Sequence, residues 1–212
     1  MNQLKYPCFY PGDFAPPTKM HLNTLYWLLS KPEVGHVSVV IGAKPTDGVT
    51  SEQKKALWEM LLRSTTAPQA TILVSKEKGP LSEVYDNMMK RKEMPCFIAL
   101  DESSSRNKRF QEKFEIFPNY GIQLIPSQFK KSSERARQAI DSGDTERLKL
   151  ELPKDFNQDM VDSYVRILSA KNDPEAPEEQ SKDIDYKNRY ESMFNDGFWK
   201  NVFLPIVNDP KV

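Results

Sequence analysis

Five short apolar runs set the terms on which this chain can fold: Lys5 to Tyr10, Val37 to Ala43, Ala70 to Ser75, Cys96 to Leu100 and Gly121 to Ile125. Each has the length of a strand, is bounded by Pro, Gly or polar residues, and reads as a continuous apolar stretch. Between them lie segments with helical spacing. Leu22, Leu25, Tyr26 and Leu29 follow the first run, Ala56, Leu57, Met60 and Leu61 the second, and Leu81, Val84, Tyr85, Met88 and Met89 the third. Arg106 to Phe114, with Phe110 and Phe114 four apart, repeats the pattern more faintly. Strands that alternate with helices and are apolar throughout belong in a parallel sheet covered on both faces. The expected fold is therefore α/β: a doubly wound, Rossmann-like, five-stranded parallel sheet with helices on both faces and a helical C-terminal extension. Ligands of such sheets sit beyond the carboxyl ends of the strands, so the loops that follow strands are where chemistry is expected.

After Ile125 the pattern is wholly helical. Ser132 to Ser142 reads as a helix stopped by Gly143, a short helix covers about Thr145 to Leu150 before Pro153, and Met160, Val161, Tyr164, Val165 and Leu168 share a face of a third. Residues 171–185 hold two prolines, six acids and no aromatic, the composition of a solvated linker. Aromatics then return at Tyr186, Tyr190, Phe194, Phe198, Trp199 and Phe203. The expected organisation is an α/β domain over 1–170, an acidic linker over 171–185 and an aromatic-rich, helical tail over 186–212.

Composition narrows the partners. Thirty Lys and Arg balance thirty Asp and Glu, which disfavours binding to duplex DNA through bulk charge while leaving room for a local basic site. No apolar run approaches the roughly 18 residues that cross a bilayer. The N-terminal stretch lacks the apolar core and small-residue cleavage site of a secretory signal. Cys8 and Cys96, far apart and without ligand spacing, make neither a disulfide framework nor a zinc site. A cytoplasmic protein without a metal site of its own is expected.

The richest segment follows the first apolar run: Tyr10-Pro11-Gly12-Asp13-Phe14-Ala15-Pro16-Pro17-Thr18-Lys19-Met20-His21. A glycine there lets backbone approach a ligand, and paired prolines stiffen the loop before the helix. Thr18 is a natural N-cap, and His21 lies on the same side of the first helical turn. Hydroxyl, imidazole and unsatisfied N–H groups then point to one place where the helix dipole favours an anion, and a phosphate suits it. Alternatively Thr18 merely caps a helix and His21 is a surface or core histidine. His36 lacks comparable surroundings and is read as structural. A turn over Pro45-Thr46-Asp47-Gly48 leads to a capping box at Thr50 and Gln53.

The segment GDFAPPTKMH resembles the GxFxPxTxGH pattern of the nucleotidyltransferase superfamily that carries the HIGH motif, in Gly12, Phe14, Pro16, Thr18 and His21. That superfamily includes nicotinamide-nucleotide and phosphopantetheine adenylyltransferases and glycerol-phosphate cytidylyltransferases. Met20 stands where the pattern has glycine. Lys130 to Arg137, KKSSERAR, is similar to the family's ISSTxxR motif in Ser132, Ser133 and Arg137, with Glu134 in place of the threonine. Physically, a serine at the cap, another in the first turn and an arginine one turn on can chelate phosphate oxygens. A serine-capped helix with Arg on its wet side is the plainer alternative. The resemblance covers about residues 5–168.

The resemblance implies transfer of AMP or CMP from ATP or CTP to a phosphorylated small-molecule acceptor with release of pyrophosphate, foremost a nicotinamide-nucleotide adenylyltransferase-like reaction, with Mg²⁺ carried by the triphosphate. The catalytic residues it implies are His21, Thr18, Lys44 and Arg137. Gly12, Asp13, Phe14, Thr18, His21, Asp101, Ser132, Ser133 and Arg137 are implied to bind nucleotide. Lys44, after the second run, resembles a lysine directed at acceptor or triphosphate, or is a solvated turn residue. Asp101, ending the fourth run, contacts substrate or caps the next helix. Trp27 and Trp58 lie in helical segments and are expected in the core. Met20 and Glu134 also admit a different reading: a nucleotidyltransferase-like domain reused as a nucleotide-binding or assembly module. Residues 186–207 would then dock on a second copy or a partner protein.

Overall fold

The computed structural model describes residues 5–64, 69–76, 79–90, 96–101, 120–125 and 129–170. They form five strands and six helices in the order β1 (Tyr6–Gly12), α1 (Lys19–Leu29), β2 (Val34–Ile41), α2 (Ser51–Arg63), β3 (Ala70–Val74), α3 (Pro80–Lys90), β4 (Cys96–Asp101), β5 (Tyr120–Ile125), α4 (Phe129–Asp141), α5 (Thr145–Lys149) and α6 (Gln158–Ser169). The described residues all fall within one compact unit. The helix expected at Arg106 to Phe114, the linker and the aromatic tail lie outside the described residues.

All strand pairs are parallel, in the order β3-β2-β1-β4-β5. Side chains alternate across the sheet as the pleat requires. Cys8 and Tyr10 of β1, Val37, Val39 and Ile41 of β2, and Ala99 of β4 join Leu22, Leu25 and Leu28 of α1 and Trp58 and Leu61 of α2 in one core. The other face presents Val40, Cys96, Ile98 and Leu100 to Val84 and Met88 of α3. This is the doubly wound, Rossmann-like arrangement. A third core joins Leu57 of α2 to Ala136 and Ala139 of α4, Leu148 of α5, and Val161 and Tyr164 of α6, so the helical C-terminal part packs onto α2.

The order fixes where a ligand can sit. From β1 the chain winds outward through β2 to β3, then returns to place β4 on the other side of β1. Such a reversal leaves a crevice at the carboxyl ends of the two strands that flank it. Gly12 and Asp101 end those strands.

Several expectations change on contact with the structure. The buried side of α1 is His21, Leu22, Thr24, Leu25 and Leu28. Tyr26 and Trp27 are each 39% exposed, so Trp27 is not a core residue; its ring lies 4.1 Å from Lys31 Nζ instead. Trp58 is fully buried, as expected. Helix α4 begins at Phe129, not at Ser132, because Phe129, Lys130 and Lys131 continue the helix with neither Pro nor Gly among them. Ser132 is consequently not its cap. His36 bonds Thr71 Oγ1 on the neighbouring strand at 2.9 Å, a structural role. Cys8 and Cys96 are free thiols in different core layers, and burial pushes both up, Cys96 to about 11. Among the described residues no helix is long and apolar enough to cross a membrane.

Candidate functional site

The loop from β1 to α1 is built around a sharp reversal. Phe14 has φ +44°, a left-handed conformation that non-glycine residues rarely adopt. The turn folds its ring back over Gly12, where a Cβ would come within 2.6 Å of Phe14 Cζ. Glycine is required there for space. The ring is buried and meets those of His21 and Trp58 edge-on at 5.3 and 5.2 Å between centroids. Asp13, beside it, is exposed, and its Oδ1 lies 3.0 Å from where a Gly42 Cβ would stand.

Thr18 caps α1, and His21 takes the place of the third residue of a capping box: its Nδ1 accepts the backbone N–H of Thr18 at 2.9 Å. That bond fixes the tautomer, since a backbone N–H only donates; Nδ1 bears a lone pair and Nε2 the proton. Enclosed by Phe14, Trp58 and the helix, His21 is 4% exposed, and loss of hydration lowers its pKa to about 3. At neutral pH it is an uncharged donor.

The second motif meets the first directly. Ser132 Oγ lies 2.8 Å from Thr18 Oγ1, and Ser133 Oγ donates to the Pro16 carbonyl at 2.8 Å. Arg137 donates from Nη1 to the Ala15 carbonyl and pairs through Nη2 with Asp47 Oδ2 at 2.9 Å. Two clusters far apart in sequence thus converge on one loop at the carboxyl end of β1. Glu134, in the motif's threonine position, is exposed on α4, and Met20 is half-buried on α1.

Two residues without an assigned role in the sequence hold this together. Glu151, after α5, is buried and accepts from Ser132 Oγ at 2.5 Å and from Arg135 Nε at 2.5 Å and Nη2 at 3.1 Å, while its backbone carbonyl takes the N–H of Lys19 at 2.9 Å. Burial alone would raise its pKa, but those bonds and the charges of Arg135 and Lys19 outweigh it and hold the carboxylate below its usual range. Tyr164 of α6 donates to the Pro17 carbonyl at 2.6 Å. Its pattern position marked it only as core. Glu151 lies between Leu150 and Leu152, where alternation with apolar neighbours gave no sign of its partners.

The remaining candidates are more peripheral. Lys44 is exposed; its carbonyl accepts Lys54 Nζ at 2.9 Å, which also donates to Thr46 Oγ1 at 3.1 Å. Lys54 is fully buried, and that lowers its pKa against the opposing pull of Asp13, Asp47 and Glu52. Asp101 ends β4, the strand beside β1. Among the described residues no group of three or more His, Cys, Asp or Glu could hold a metal ion.

Fold and site can be set beside proteins of known structure. The fold is similar to that of solved nicotinic acid mononucleotide and NMN adenylyltransferases. The nicotinic acid mononucleotide adenylyltransferase of Plasmodium falciparum, complexed with APC, superposes with a TM-score of 0.56 at 14% identity, over 76% of this chain and 95% of that one. The same enzyme complexed with NaAD gives 0.54 at 14% identity over the same shares. A bifunctional NMN adenylyltransferase/ADP ribose pyrophosphatase of Francisella tularensis, complexed with AMP and a Mn ion, gives 0.50 at 15% identity over 89% of this chain and 56% of that one. No family model matches the sequence, and no curated protein matches it by sequence.

Proposed function

We propose that this chain is a cytoplasmic nucleotidyltransferase that moves AMP, or CMP, from a magnesium-bound nucleoside triphosphate to a phosphorylated small molecule, releasing pyrophosphate. A pyridine mononucleotide is the favoured acceptor. One observation carries the reading: the Thr18–His21 cap and the Ser132–Arg137 helix are bonded to each other at the end of β1, where a doubly wound sheet takes its ligand.

Among the described residues the cluster holds no thiol, and its serines are buried with their hydroxyls committed to Glu151 and Pro16, so the chemistry is read as direct. An acceptor phosphate oxygen, already ionised, attacks the α-phosphorus in line; the bond to the bridging oxygen breaks and pyrophosphate leaves with its magnesium. The metal arrives as part of the substrate, and a donor set of imidazole, hydroxyls and guanidinium suits that. His21, neutral with its proton on Nε2, donates to charge growing on the α-phosphate. Thr18 holds the imidazole in place for that donation. Ser132 and Ser133, whose hydroxyl protons are committed to Glu151 and Pro16, fasten the helix that carries Arg137 to the loop. Arg137 serves the β and γ groups, and Lys44 reaches the acceptor. Gly12, Asp13, Phe14 and Asp101 shape the nucleotide's surroundings.

Pyrophosphate release with MgATP and MgCTP across a panel of phosphorylated acceptors tests this, alongside calorimetry of nucleotide binding. Release with ATP and a pyridine mononucleotide is expected. A second reading, a nucleotide-binding or assembly module docking through residues 186–207, draws on the near-complete burial of His21 and on the partners that Ser132, Ser133 and Arg137 already have within the chain. Nucleotide binding without release would select the nucleotide-binding module, and absence of both the assembly module.

A further inference from the structure

The turn between β2 and α2 presents a carboxylate to Arg137. Asp47 and Gly48 have φ of +50° and +78°, and Thr46 and Val49 exchange two backbone bonds of 3.0 Å across them. Positive φ at both central residues is the geometry of a type I′ turn, which Asp-Gly favours. Buried Lys54 grips the arm leading into the turn at the Lys44 carbonyl and Thr46 Oγ1. The carboxylate is therefore held out on a braced tip, and its Oδ2 meets Arg137 Nη2 at 2.9 Å.

Arg137 is held independently on its other side, by Nη1 on the Ala15 carbonyl of the β1–α1 loop. It can stay in place if Asp47 leaves. The Asp47 side chain is 54% exposed and that of Arg137 26%, so water weakens their attraction. A polyphosphate brings several charges and oxygens that can engage a guanidinium in pairs, which one carboxylate cannot match.

We infer that Asp47 sets the affinity for the polyphosphate group of the substrate: in the free protein its carboxylate occupies Arg137, and a bound polyphosphate takes its place. The inference rests on the reading of Arg137 as a phosphate ligand proposed above. A ligand must outbid an internal anion, so triphosphate and pyrophosphate are favoured over a nucleoside monophosphate.

The test is a double-mutant cycle read by calorimetry with inorganic pyrophosphate, MgATP and AMP, on the full chain. Asp47→Asn keeps the turn, because asparagine tolerates positive φ. It is expected to tighten pyrophosphate binding by about twofold to fivefold, within the range an exposed ion pair represents, and to narrow the preference for ATP over AMP. Arg137→Ala should weaken pyrophosphate binding, and adding Asp47→Asn to it should restore nothing. Unchanged or weaker binding by Asp47→Asn overturns the inference. So does a gain that persists undiminished beside Arg137→Ala, since that gain would come from bulk charge. If Arg137→Ala binds as tightly as the unaltered chain, the reading of Arg137 falls first and this inference with it.

Discussion

Thr18 Oγ1 and Ser132 Oγ stand 114 positions apart in sequence and 2.8 Å apart in the fold, and the direction of the bond between them can be deduced. Ser132 donates its one hydroxyl hydrogen bond to the Glu151 carboxylate, which cannot donate, and His21 Nδ1 already accepts the Thr18 backbone N–H. The Thr18 hydroxyl therefore donates to Ser132. A one-way chain runs from Thr18 through Ser132 to Glu151, completed from the far side by Arg135.

Removing the charge at the end of that chain tests its worth. Glu151→Gln weakens the acceptor of both Ser132 and Arg135 in a buried place, and a loss of about 1–3 kcal/mol is expected. It would be read as a lower urea midpoint with the slope unchanged. An unmoved midpoint would show that Glu151 does not hold the two motifs together.

His21→Ala is expected to lower kcat for pyrophosphate release by roughly 10²–10³, the usual cost of one donor to a developing charge. Circular dichroism should stay that of the folded chain. A rate equal to that of the unaltered protein would reject the proposed role of the imidazole.

The buried, neutral state of His21 also makes stability depend on pH. Its folded pKa of about 3 lies below the ordinary 6.5, so between those values the unfolded chain binds a proton that the folded chain refuses. Stability is in full force above about pH 6.5 and falls on acidification toward pH 3, with a slope approaching 1.4 kcal/mol per unit, about one proton's worth. His36, also lowered by burial, adds to the fall in the same window, and Glu151, also depressed, adds its loss only below the usual carboxylate range. Denaturant melts across this window should show the fall, and His21→Gln, which keeps a side-chain acceptor for the Thr18 N–H, should flatten it between pH 5 and 6.5, to order of magnitude. An equally steep profile in that variant would point to another titrating group.

Gly12 and Gly42 make a matched pair of substitutions. A Cβ on Gly12 meets three atoms of the Phe14 ring between 2.6 and 2.9 Å, whereas on Gly42 it meets Asp13 Oδ1 at 3.0 Å, the tip of an exposed side chain. Gly12→Ala should cost about 1–3 kcal/mol as the buried ring is driven off His21, and Gly42→Ala clearly less. Thermal unfolding of the two variants side by side decides it; equal losses would mean that Phe14 yields as freely as Asp13.

How much of this could be read from the sequence depended on how local each signal was. The Thr50–Gln53 capping box and the Asp47-Gly48 turn are short-range patterns, and both stand as expected. Strand positions followed from apolar runs and shifted only at their ends. Helix α1 shows the limit: the sets 22, 25, 26, 29 and 21, 22, 25, 28 both fit helical spacing, and only the position of the sheet chooses the second. Glu151 and Lys54 were beyond reach for a related reason. Each is a charged residue buried by partners brought from elsewhere in the chain, and single-sequence patterning assigns charge to water.

The anchors of the β1–α1 loop also bear on when the site can come into being. Pro16, Thr18 and Pro17 are fastened by Ser133, Ser132 and Tyr164, all from helices that follow the last strand. A nascent chain halted after β5 would possess all five described strands and yet lack these three fasteners. Translation must pass position 164 before the last of these fasteners exists, so any ligand-holding ability should emerge late and all at once.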